Sequence, residues 1–254
     1  MRIGVLVNYC SDVTESLSSQ RRIGNSVHVL TALGACTGLI ALQRIVDGNI
    51  RSGLMWLIVC QILDGIDGPI ARYYEVDTRL GRIDGHVLDL LVDYVTCVVV
   101  PTVLLVKMRL VEPDFTVVAA GAILLTSVLW FARTDAETDD HWFRGFPAMW
   151  NIVVPSFLIL HASHTTVLVV TLAFCGLQLT SVEFPHIVRA RAMRRLTVTV
   201  TTFYLVCFTW LSLTYPHGPE VVRSVIFIAP GYMAFLVLWR TFAPQRTIFG
   251  RSVV

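Results

Sequence analysis

The sequence predicts an all-α protein that crosses a membrane several times. Of its 254 residues, 55% are hydrophobic and only 15% are charged, whereas soluble domains carry about 25% charged residues. The mean hydropathy is +0.67, and apolar segments long enough to cross about 30 Å of hydrocarbon recur along the chain. No stretch resembles an added soluble domain, so we expect a single membrane domain.

Eight apolar segments are predicted to be membrane-spanning helices. The fifth and sixth are separated only by the sequence ASH, so a helical hairpin is expected there. The segments are Val27–Leu42, Gly53–Ile70, Val87–Val106, Phe115–Phe131, Phe146–His161, Thr165–Val182, Leu196–Leu213 and Val222–Trp239.

The basic residues predict which side of the membrane each loop faces. Cytoplasmic loops of membrane proteins carry an excess of Lys and Arg. With eight spans, both termini and the even-numbered loops share one side, and 15 of the 20 basic residues fall there. Both termini are therefore predicted to be cytoplasmic. The residues on the other side are Arg44, Arg51, Lys107, Arg109 and Arg223.

The two ends of the chain are more polar than the spans. The apolar run after Arg2 is short, and the chain turns polar before any small-residue cleavage site, so a signal peptide is not expected. We expect a cytoplasmic arm over residues 1–24, a transmembrane domain over residues 25–242 and a cytoplasmic tail over residues 243–254. The six cysteines form no CxxC pair, which favours packing thiols over disulfides or a metal site.

Four aspartates interrupt the second and third apolar segments. Asp64 and Asp67 are three residues apart, and Asp89 and Asp93 are four apart, so each pair projects from one face of its helix. Because the second helix ends and the third begins on the same side, the pairs are expected to face each other near the cytoplasmic surface. Converging carboxylates repel one another unless cations lie between them, and their oxygens suit Mg²⁺ or Mn²⁺. The sequence therefore predicts one or two divalent ions that hold a phosphate group.

Small and basic residues accompany these aspartates. Small side chains let a bulky phosphate ligand approach the backbone; they are Gly68, Ala71 and Gly85. Arg72 adds a positive charge suited to phosphate, and Pro69 is expected to bend or end the second helix. Asp77 and Asp84, in the link between the helices, are interpreted as surface residues paired with nearby arginines.

The order and spacing of these residues resemble the signature of the CDP-alcohol phosphatidyltransferase family. That signature is D-x2-D-G-x2-A-R, then a spacer, then G-x3-D-x3-D. Its fixed positions are occupied here by Asp64, Asp67, Gly68, Ala71, Arg72, Gly85, Asp89 and Asp93. The spacer, residues 73–84, is longer than in most of the family and resembles that of the bacterial phosphatidylcholine synthase branch. Residues 27–42, 88–101 and 143–151 are also similar to that branch.

The resemblance implies a reaction and a location. Family members are integral membrane enzymes, typically homodimers, which transfer a phosphatidyl or similar group from a CDP-linked donor to an alcohol and release CMP. The branch implies CDP-diacylglycerol as the donor and choline as the acceptor. It also implies a multi-pass protein of the bacterial inner membrane, surrounded by membrane lipids, with its active site facing the cytoplasm.

The resemblance also implies roles for the signature residues. Asp64, Asp67 and Asp89 bind metal, and Asp93 binds a metal or is the general base that takes the proton from the choline hydroxyl. A carboxylate at a metal site is a weakened base, so both roles of Asp93 stay open. The residues implied to bind the CDP group are Asp64, Asp67, Gly68, Ala71, Arg72 and Gly85.

Choline binding is expected to involve aromatic residues near the cytoplasmic surface, because proteins hold quaternary ammonium ions against aromatic faces. Trp150 with Asn151 is the first choice, and Tyr94, directly after Asp93, is a further candidate. For each aromatic residue alone, a place in the interfacial aromatic belt is the more ordinary explanation. The other aromatic candidates are Tyr73, Tyr74, Trp142, Phe143 and Phe146.

Two alternative functions are compatible with the sequence. The first keeps the reaction but changes the acceptor to serine, inositol or another amino alcohol, and only the similarity to the branch argues against it. The second is a divalent-cation transporter with the four aspartates as its ion site. Transporter sites usually lie near the bilayer midplane on broken helices, whereas these aspartates flank a cytoplasmic link. The sequence carries no nucleic-acid-binding signature.

Overall fold

The computed structural model describes residues 26–73, 83–187 and 193–242. The described chain is a helical bundle with one short β-ribbon. The predicted arm and tail, and most of the link between the second and third spans, lie outside these residues. The elements are α1 (Ser26–Val46), α2 (Ile50–Tyr73), α3 (Gly85–Asp93), a π-helical turn (Tyr94–Val99), α4 (Val100–Lys107), α5 (Pro113–Phe131), β1 (Trp142–Arg144), α6 (Trp150–Ile159), α7 (His164–Gln178), β2 (Glu183–Pro185), α8 (Arg194–Thr214), α9 (Glu220–Val225) and α10 (Ile228–Phe242).

The predicted all-α membrane fold is confirmed. Within the described ranges, six helical stretches are long and apolar enough to cross a membrane. One of them joins α3, the π-helical turn and α4, and another joins α9 and α10. The six stretches are Ser26–Val46, Ile50–Ile70, Gly85–Lys107, Pro113–Phe131, Arg194–Thr214 and Glu220–Phe242.

The fifth and sixth predicted spans are represented by the shorter helices α6 and α7. They have 10 and 15 residues, or about 15 and 22 Å at 1.5 Å per residue, which is less than the bilayer core of about 30 Å. The fifth span was expected to begin at Phe146, but α6 begins at Trp150. Residues 146–149 are irregular and include Ala148 with φ of 53°, which no α-helix accommodates. The count of eight membrane crossings stays a prediction.

Successive long helices run in opposite directions. At one end of the bundle, Lys107 Nζ at the end of α4 donates a hydrogen bond to the carbonyl oxygen of Val46 at 2.7 Å. This contact places the last turns of α1 and α4 together. The end of α2 and the start of α3 therefore share the opposite end of the bundle, which we call the site end.

Pro69 lies inside α2, and the helix continues beyond it to Tyr73. The helix therefore does not end at this proline, and the bend expected as the alternative stays a prediction. Proline removes a single backbone donor, and apolar membrane helices tolerate that loss better than isolated helices in water.

Helix α1 packs closely on α3 through small residues. A buried stripe at alternating spacings of three and four residues marks its inner face: Val27, Thr31, Gly34, Gly38, Ala41 and Ile45. A Cβ on Gly34 would lie 2.7 Å from Val92 Cγ1, and one on Gly38 would lie 3.0 Å from Thr96 Cγ2. Small residues of this kind let two membrane helices approach closely. Since both contacts advance by four residues, α1 and α3 run parallel at a fixed register.

A buried polar network joins α5, α6 and α7. The hydroxyl of Thr126 lies 2.5 Å from Gln178 Oε1. Ser127 Oγ accepts hydrogen bonds from Gln178 Nε2 at 3.2 Å and from Trp150 Nε1 at 2.9 Å. Because Gln178 and Ser127 are fully buried, these bonds satisfy groups that would be costly to leave unpaired in an apolar bundle.

A small cap, the ribbon of β1 (Trp142–Arg144) and β2 (Glu183–Pro185), packs against α10, and the sequence did not predict it. Strands β1 and β2 pair antiparallel. Arg240 in the last turn of α10 donates to Glu183 Oε2 at 2.5 Å, and its Nη2 lies 2.9 Å from Asp140 Oδ2. The Arg240 guanidinium also lies 4.9 Å from the centre of the Trp142 ring. These contacts fasten the last helix to the ribbon.

A second arginine joins the ends of α5 and α7 at the same face. Arg133 Nη1 donates to the carbonyl oxygens of Gln178 and Thr180, at 3.3 and 2.9 Å. Its Nε and Nη2 donate to the carboxylate of Asp135, at 2.9 and 3.1 Å. These hydrogen bonds favour the ionised carboxylate and lower the pKa of Asp135.

Candidate active site

Three aspartates converge at the site end of the bundle. One oxygen atom of each of Asp64, Asp89 and Asp93 lies within 4.8 Å of the corresponding atoms of the other two. Asp64 is exposed on α2, whereas Asp89 and Asp93 are half-buried on α3. The predicted convergence of carboxylates from two helices is therefore present for these three residues. The side chain of Asp67, the fourth predicted ligand, lies outside the described part of the chain.

The start of α3 is fixed by Asp84, which controls where the two α3 aspartates point. Its Oδ1 accepts hydrogen bonds from the backbone N–H groups of His86 and Val87, at 3.0 and 3.3 Å. A carboxylate at this N-cap position satisfies backbone donors that have no partner within the helix. Asp89 then lies in the second turn, and Asp93, one turn further, shares its face. Asp84 is exposed at a helix end. Because it accepts these hydrogen bonds, it stabilises the helix that carries the cluster.

A cleft formed by three helices opens beside the carboxylates. Helix α1, which carries no signature residue, contributes one wall. The lining residues are Leu30, Thr31 and Gly34 of α1, Cys60, Leu63 and Asp64 of α2, Asp89, Val92 and Asp93 of α3, and Thr96 of the π-helical turn. Sequence reasoning missed the contribution of Thr31. The sequence did hold an indication of it, because Thr31 is a hydroxyl-bearing residue among the glycine and apolar residues of the buried stripe of α1.

The donor set of the cluster fits a hard divalent cation. Three carboxylates carry a formal charge of −3 in a small volume, and Asp89 and Asp93 are partly withdrawn from water. Carboxylate oxygens are the ligands that Mg²⁺ and Mn²⁺ prefer, and a bound cation removes the repulsion between them. An acidic cluster is thus present at three of the four positions that the spacing predicted.

The other signature residues belong to the two helices that carry the carboxylates. Gly68 is half-buried in the last turns of α2, and Gly85 is the first residue of α3. Ala71 and Arg72 lie in the final turn of α2, but their side chains lie outside the described part. The proposed contacts of these residues with a CDP group therefore stay predictions.

The predicted choline residues are distributed over two elements. Tyr94 opens the π-helical turn, and its hydroxyl donates to the carbonyl oxygen of Leu124 on α5 at 3.2 Å. Trp150 is fully buried at the start of α6, and its ring packs against Phe146 and Phe174, with centroid distances of 5.5 and 6.4 Å. The Trp150 ring is thus part of the packed interior and does not face open solvent.

Asn151 follows Trp150 and is only 5% exposed. Its Oδ1 has no hydrogen-bond partner among the residues that the structure describes. A buried carbonyl oxygen without a partner is costly and is attracted to a cation or a hydrogen-bond donor. This observation distinguishes Asn151 from the aromatic candidates, whose packing alone explains their burial.

Comparison with known proteins agrees with these observations. The family model described as CDP-alcohol phosphatidyltransferase matches residues 24–205. A phosphatidylcholine synthase of Pseudomonas aeruginosa is 34% identical over 215 residues, which cover 85% of this chain and 90% of that protein. A phosphatidylcholine synthase of Bradyrhizobium diazoefficiens is 36% identical over 239 residues, covering 92% and 85%. One of Legionella pneumophila is 32% identical over 226 residues, covering 86% and 89%.

The matched region contains the whole signature from Asp64 to Asp93 and the helices that form the cleft. The resemblance inferred from eight residues is thereby confirmed over most of the chain. Sequence, site geometry and relatives lead to the same conclusion: this chain belongs to the CDP-alcohol phosphatidyltransferase family.

Proposed function

We propose that this protein transfers the phosphatidyl group of CDP-diacylglycerol to choline and releases phosphatidylcholine and CMP. The observation that carries the proposal is the convergence of Asp64, Asp89 and Asp93 within 4.8 Å at one end of a membrane bundle. The family supplies the reaction class, and the phosphatidylcholine synthases among its relatives supply the acceptor.

The carboxylates are proposed to hold one or two Mg²⁺ or Mn²⁺ ions. Asp64, Asp89 and Asp93 provide oxygen ligands, and Asp67 is proposed as the fourth. When bound, the cations stabilise negative charge that develops on the phosphate oxygens during the displacement. The half-burial of Asp89 and Asp93 keeps water partly away from the cluster and strengthens these electrostatic interactions.

The protein side chains are proposed to bind and orient the two substrates. The diacylglycerol chains stay among the lipids, while the pyrophosphate lies at the carboxylates, with Gly68, Ala71, Arg72 and Gly85 around the CDP group. The choline oxygen forms a bond to the phosphorus that carries diacylglycerol. The bond from that phosphorus to the bridging oxygen breaks, and CMP leaves with the electron pair. Asp93 is proposed to accept the choline hydroxyl proton, or to act only as a ligand.

Choline is proposed to bind near Tyr94, Trp150 and Asn151. The carbonyl oxygen of Asn151, buried and without a partner among the described residues, supports this placement, because it would be stabilised beside a cation. The indole of Trp150 is held by Ser127 at 2.9 Å, which fixes the backbone that presents Asn151. Asn151→Leu should raise the KM for choline more than the KM for the donor.

The location of the reaction is also a proposal. The protein is polytopic, and its relatives are bacterial. We propose that it lies in the inner membrane as a homodimer, with the site end facing the cytoplasm, where CDP-linked precursors and choline are available. The domain limits are proposed as residues 25–242 for the transmembrane domain, between a cytoplasmic arm and tail.

A release assay tests the function. Purified protein is incubated with labelled CDP-diacylglycerol, Mn²⁺ and separate samples of choline, serine, inositol and ethanolamine, and CMP is measured. We expect CMP and a choline-containing lipid only in the choline sample. CMP release with serine or inositol but not with choline would overturn the assignment of choline as the acceptor. If no alcohol caused CMP release, the proposed transferase activity would be overturned.

A further inference from the structure

A widened turn joins α3 to α4 directly after Asp93. The turn Tyr94–Val99 is π-helical, and Val100 at its end donates its backbone N–H to the carbonyl oxygen of Val95, five residues back. In a regular α-helix the same N–H would bond four residues back. Such π-helical turns are rare and are frequently found at functional sites, and this one adjoins a carboxylate of the cluster.

Pro101 accounts for the widening of the helix. A proline inside an α-helix has no N–H to donate, and its ring clashes with the carbonyl group four residues back, which belongs here to Cys97. Pro101 is buried in the first turn of α4, directly after the π-helical turn. A turn that holds one residue more relieves this clash within a continuous helix, because the backbone ahead of the proline no longer follows the α-helical path.

The extra residue of the turn sets how α3 is rotated relative to α4. Each residue of an α-helix corresponds to about 100° of rotation, so without the extra residue α3 would be rotated by about that angle. Helix α4 cannot follow such a rotation, because its Leu104 and Leu105 are fully buried in the core. The carboxylates of Asp89 and Asp93 would turn away from the cleft instead.

Contacts on two sides hold the turn among its neighbours. A Cβ on Gly38 of α1 would lie 3.0 Å from the methyl group of Thr96, whose hydroxyl donates to the carbonyl oxygen of Val92 at 3.0 Å. On another side, the hydroxyl of Tyr94 donates to the carbonyl oxygen of Leu124 on α5 at 3.2 Å. The turn is therefore a packed part of the bundle, and its rotation is transmitted to α3.

Resting on the proposed function, we infer that Pro101 is a positioning residue for the phosphatidyl transfer. By imposing the π-helical turn, it holds α3 at the rotation that directs Asp89 and Asp93 toward Asp64. Pro101 is not among the described residues that line the cleft, so it acts only through the helix. Proline is about 3 kcal/mol less favourable than alanine inside a helix, which makes a role in helix stability a poor explanation for it.

Substitution of Pro101 tests this inference, because it separates geometry from stability. Pro101→Ala restores the missing N–H and favours a regular helix, so the thermal midpoint in detergent should stay equal or rise. At the same time kcat should fall roughly tenfold or more, because small displacements of catalytic groups are costly in rate. A residue with only a structural role would lower the midpoint and the rate together, and that result would overturn the inference.

Binding of Mn²⁺ supplies a readout that does not depend on turnover. The Mn²⁺ concentration for half-maximal thermal stabilisation should rise roughly tenfold or more in Pro101→Ala, because groups that orient metal ligands contribute this much to affinity. Pro155→Ala, which replaces a buried proline inside α6, is the matched control and should bind Mn²⁺ like the wild type.

The outcomes distinguish the inference from the proposed function. Pro101→Gly restores the same N–H and serves if the alanine variant does not fold. A kcat and an Mn²⁺ affinity no lower in Pro101→Ala than in Pro155→Ala would overturn the inference. A wild-type protein that is inactive with every alcohol would instead overturn the proposed function.

Discussion

The aspartates of the cluster show how spacing in the sequence becomes geometry in the bundle. Asp89 and Asp93 share a face of α3 because they are four residues apart, and the structure brings Asp64 of α2 to within 4.8 Å of them. Spacing within one helix was therefore sufficient to predict two members of the group. The approach of the third was expected because α2 ends on the side where α3 begins, but its distance from the other two depends on how the two helices pack.

Asp93→Asn should lower turnover by roughly a hundredfold or more, because the amide is a poor base and a weaker ligand than the carboxylate. The measurement is CMP release by protein that elutes as a single species in size-exclusion chromatography. Asp139→Asn, an exposed aspartate outside the cluster, is the control and should retain activity. An Asp93→Asn protein with more than half of the wild-type rate would remove Asp93 from the active site.

Residues of the α1 wall were harder to predict than the aspartates. Thr31 matches no charge pattern, and threonine occurs in many membrane helices that pack without function. Only the contact of Gly34 with Val92 and of Gly38 with Thr96 sets the register that aligns Thr31 with Asp89. Its place in the cleft therefore follows from helix packing and not from residue type.

At the scale of elements, the closeness of α1 to α3 determines the width of the cleft. Gly34→Ala should force the helices apart, because its Cβ would lie 2.7 Å from Val92 Cγ1. Displacements of about 1 Å at an active site can cost on the order of a hundredfold in rate. We expect at least a tenfold loss of kcat/KM in the release assay.

Two further variants give this experiment its controls. A Cβ added at Gly121 on α5 would have no other atom within 4 Å. Gly121→Ala should therefore leave activity unchanged, since alanine also has a higher helix propensity than glycine. Combining Gly34→Ala with Val92→Ala removes the clashing methyl group and should recover part of the lost activity. Full activity in Gly34→Ala alone would show that the helix spacing is not critical.

The cap is an element that propensity could not reveal. Its strands have three residues each, too few for an alternating pattern to appear. Their pairing depends on loops that return from α5 and α7 to the same face and on Arg240 of α10. An arginine at the end of a membrane helix is ordinarily interpreted as a topology signal, so its two carboxylate partners were not expected.

At the scale of the whole molecule, Arg240 joins the last helix to the rest of the bundle. Arg240→Gln removes the ionic contacts with Glu183 and Asp140 and the contact with Trp142. Hydrogen bonds to charged groups contribute about 1.5–3 kcal/mol each when partly buried, so the thermal midpoint in detergent should fall by several degrees. Arg195→Gln, at an exposed position in α8, should change it little. Equal midpoints for both variants would contradict a stabilising role for the cap.

The orientation of the bundle is testable with single cysteines. Asp139→Cys lies beyond α5 at the site end, and Asp47→Cys lies between α1 and α2 at the other end; both positions are exposed. An impermeant maleimide added to spheroplasts should label Asp47→Cys more strongly than the parent protein, which sets the background. It should label Asp139→Cys only after lysis. The reverse pattern would place the site end outside the cytoplasm.

The sequence by itself determined the membrane class, the positions of the apolar helices and the family. These properties depend on composition, on run length and on fixed spacings along one chain, all of which are local. The tertiary structure decided that α1 forms a wall of the cleft, that α6 starts only at Trp150, and that Arg240 joins the last helix to a β-ribbon. Each of these depends on contacts between residues far apart in sequence, and close packing between helices, unlike helix formation, leaves no periodic signal in any single segment.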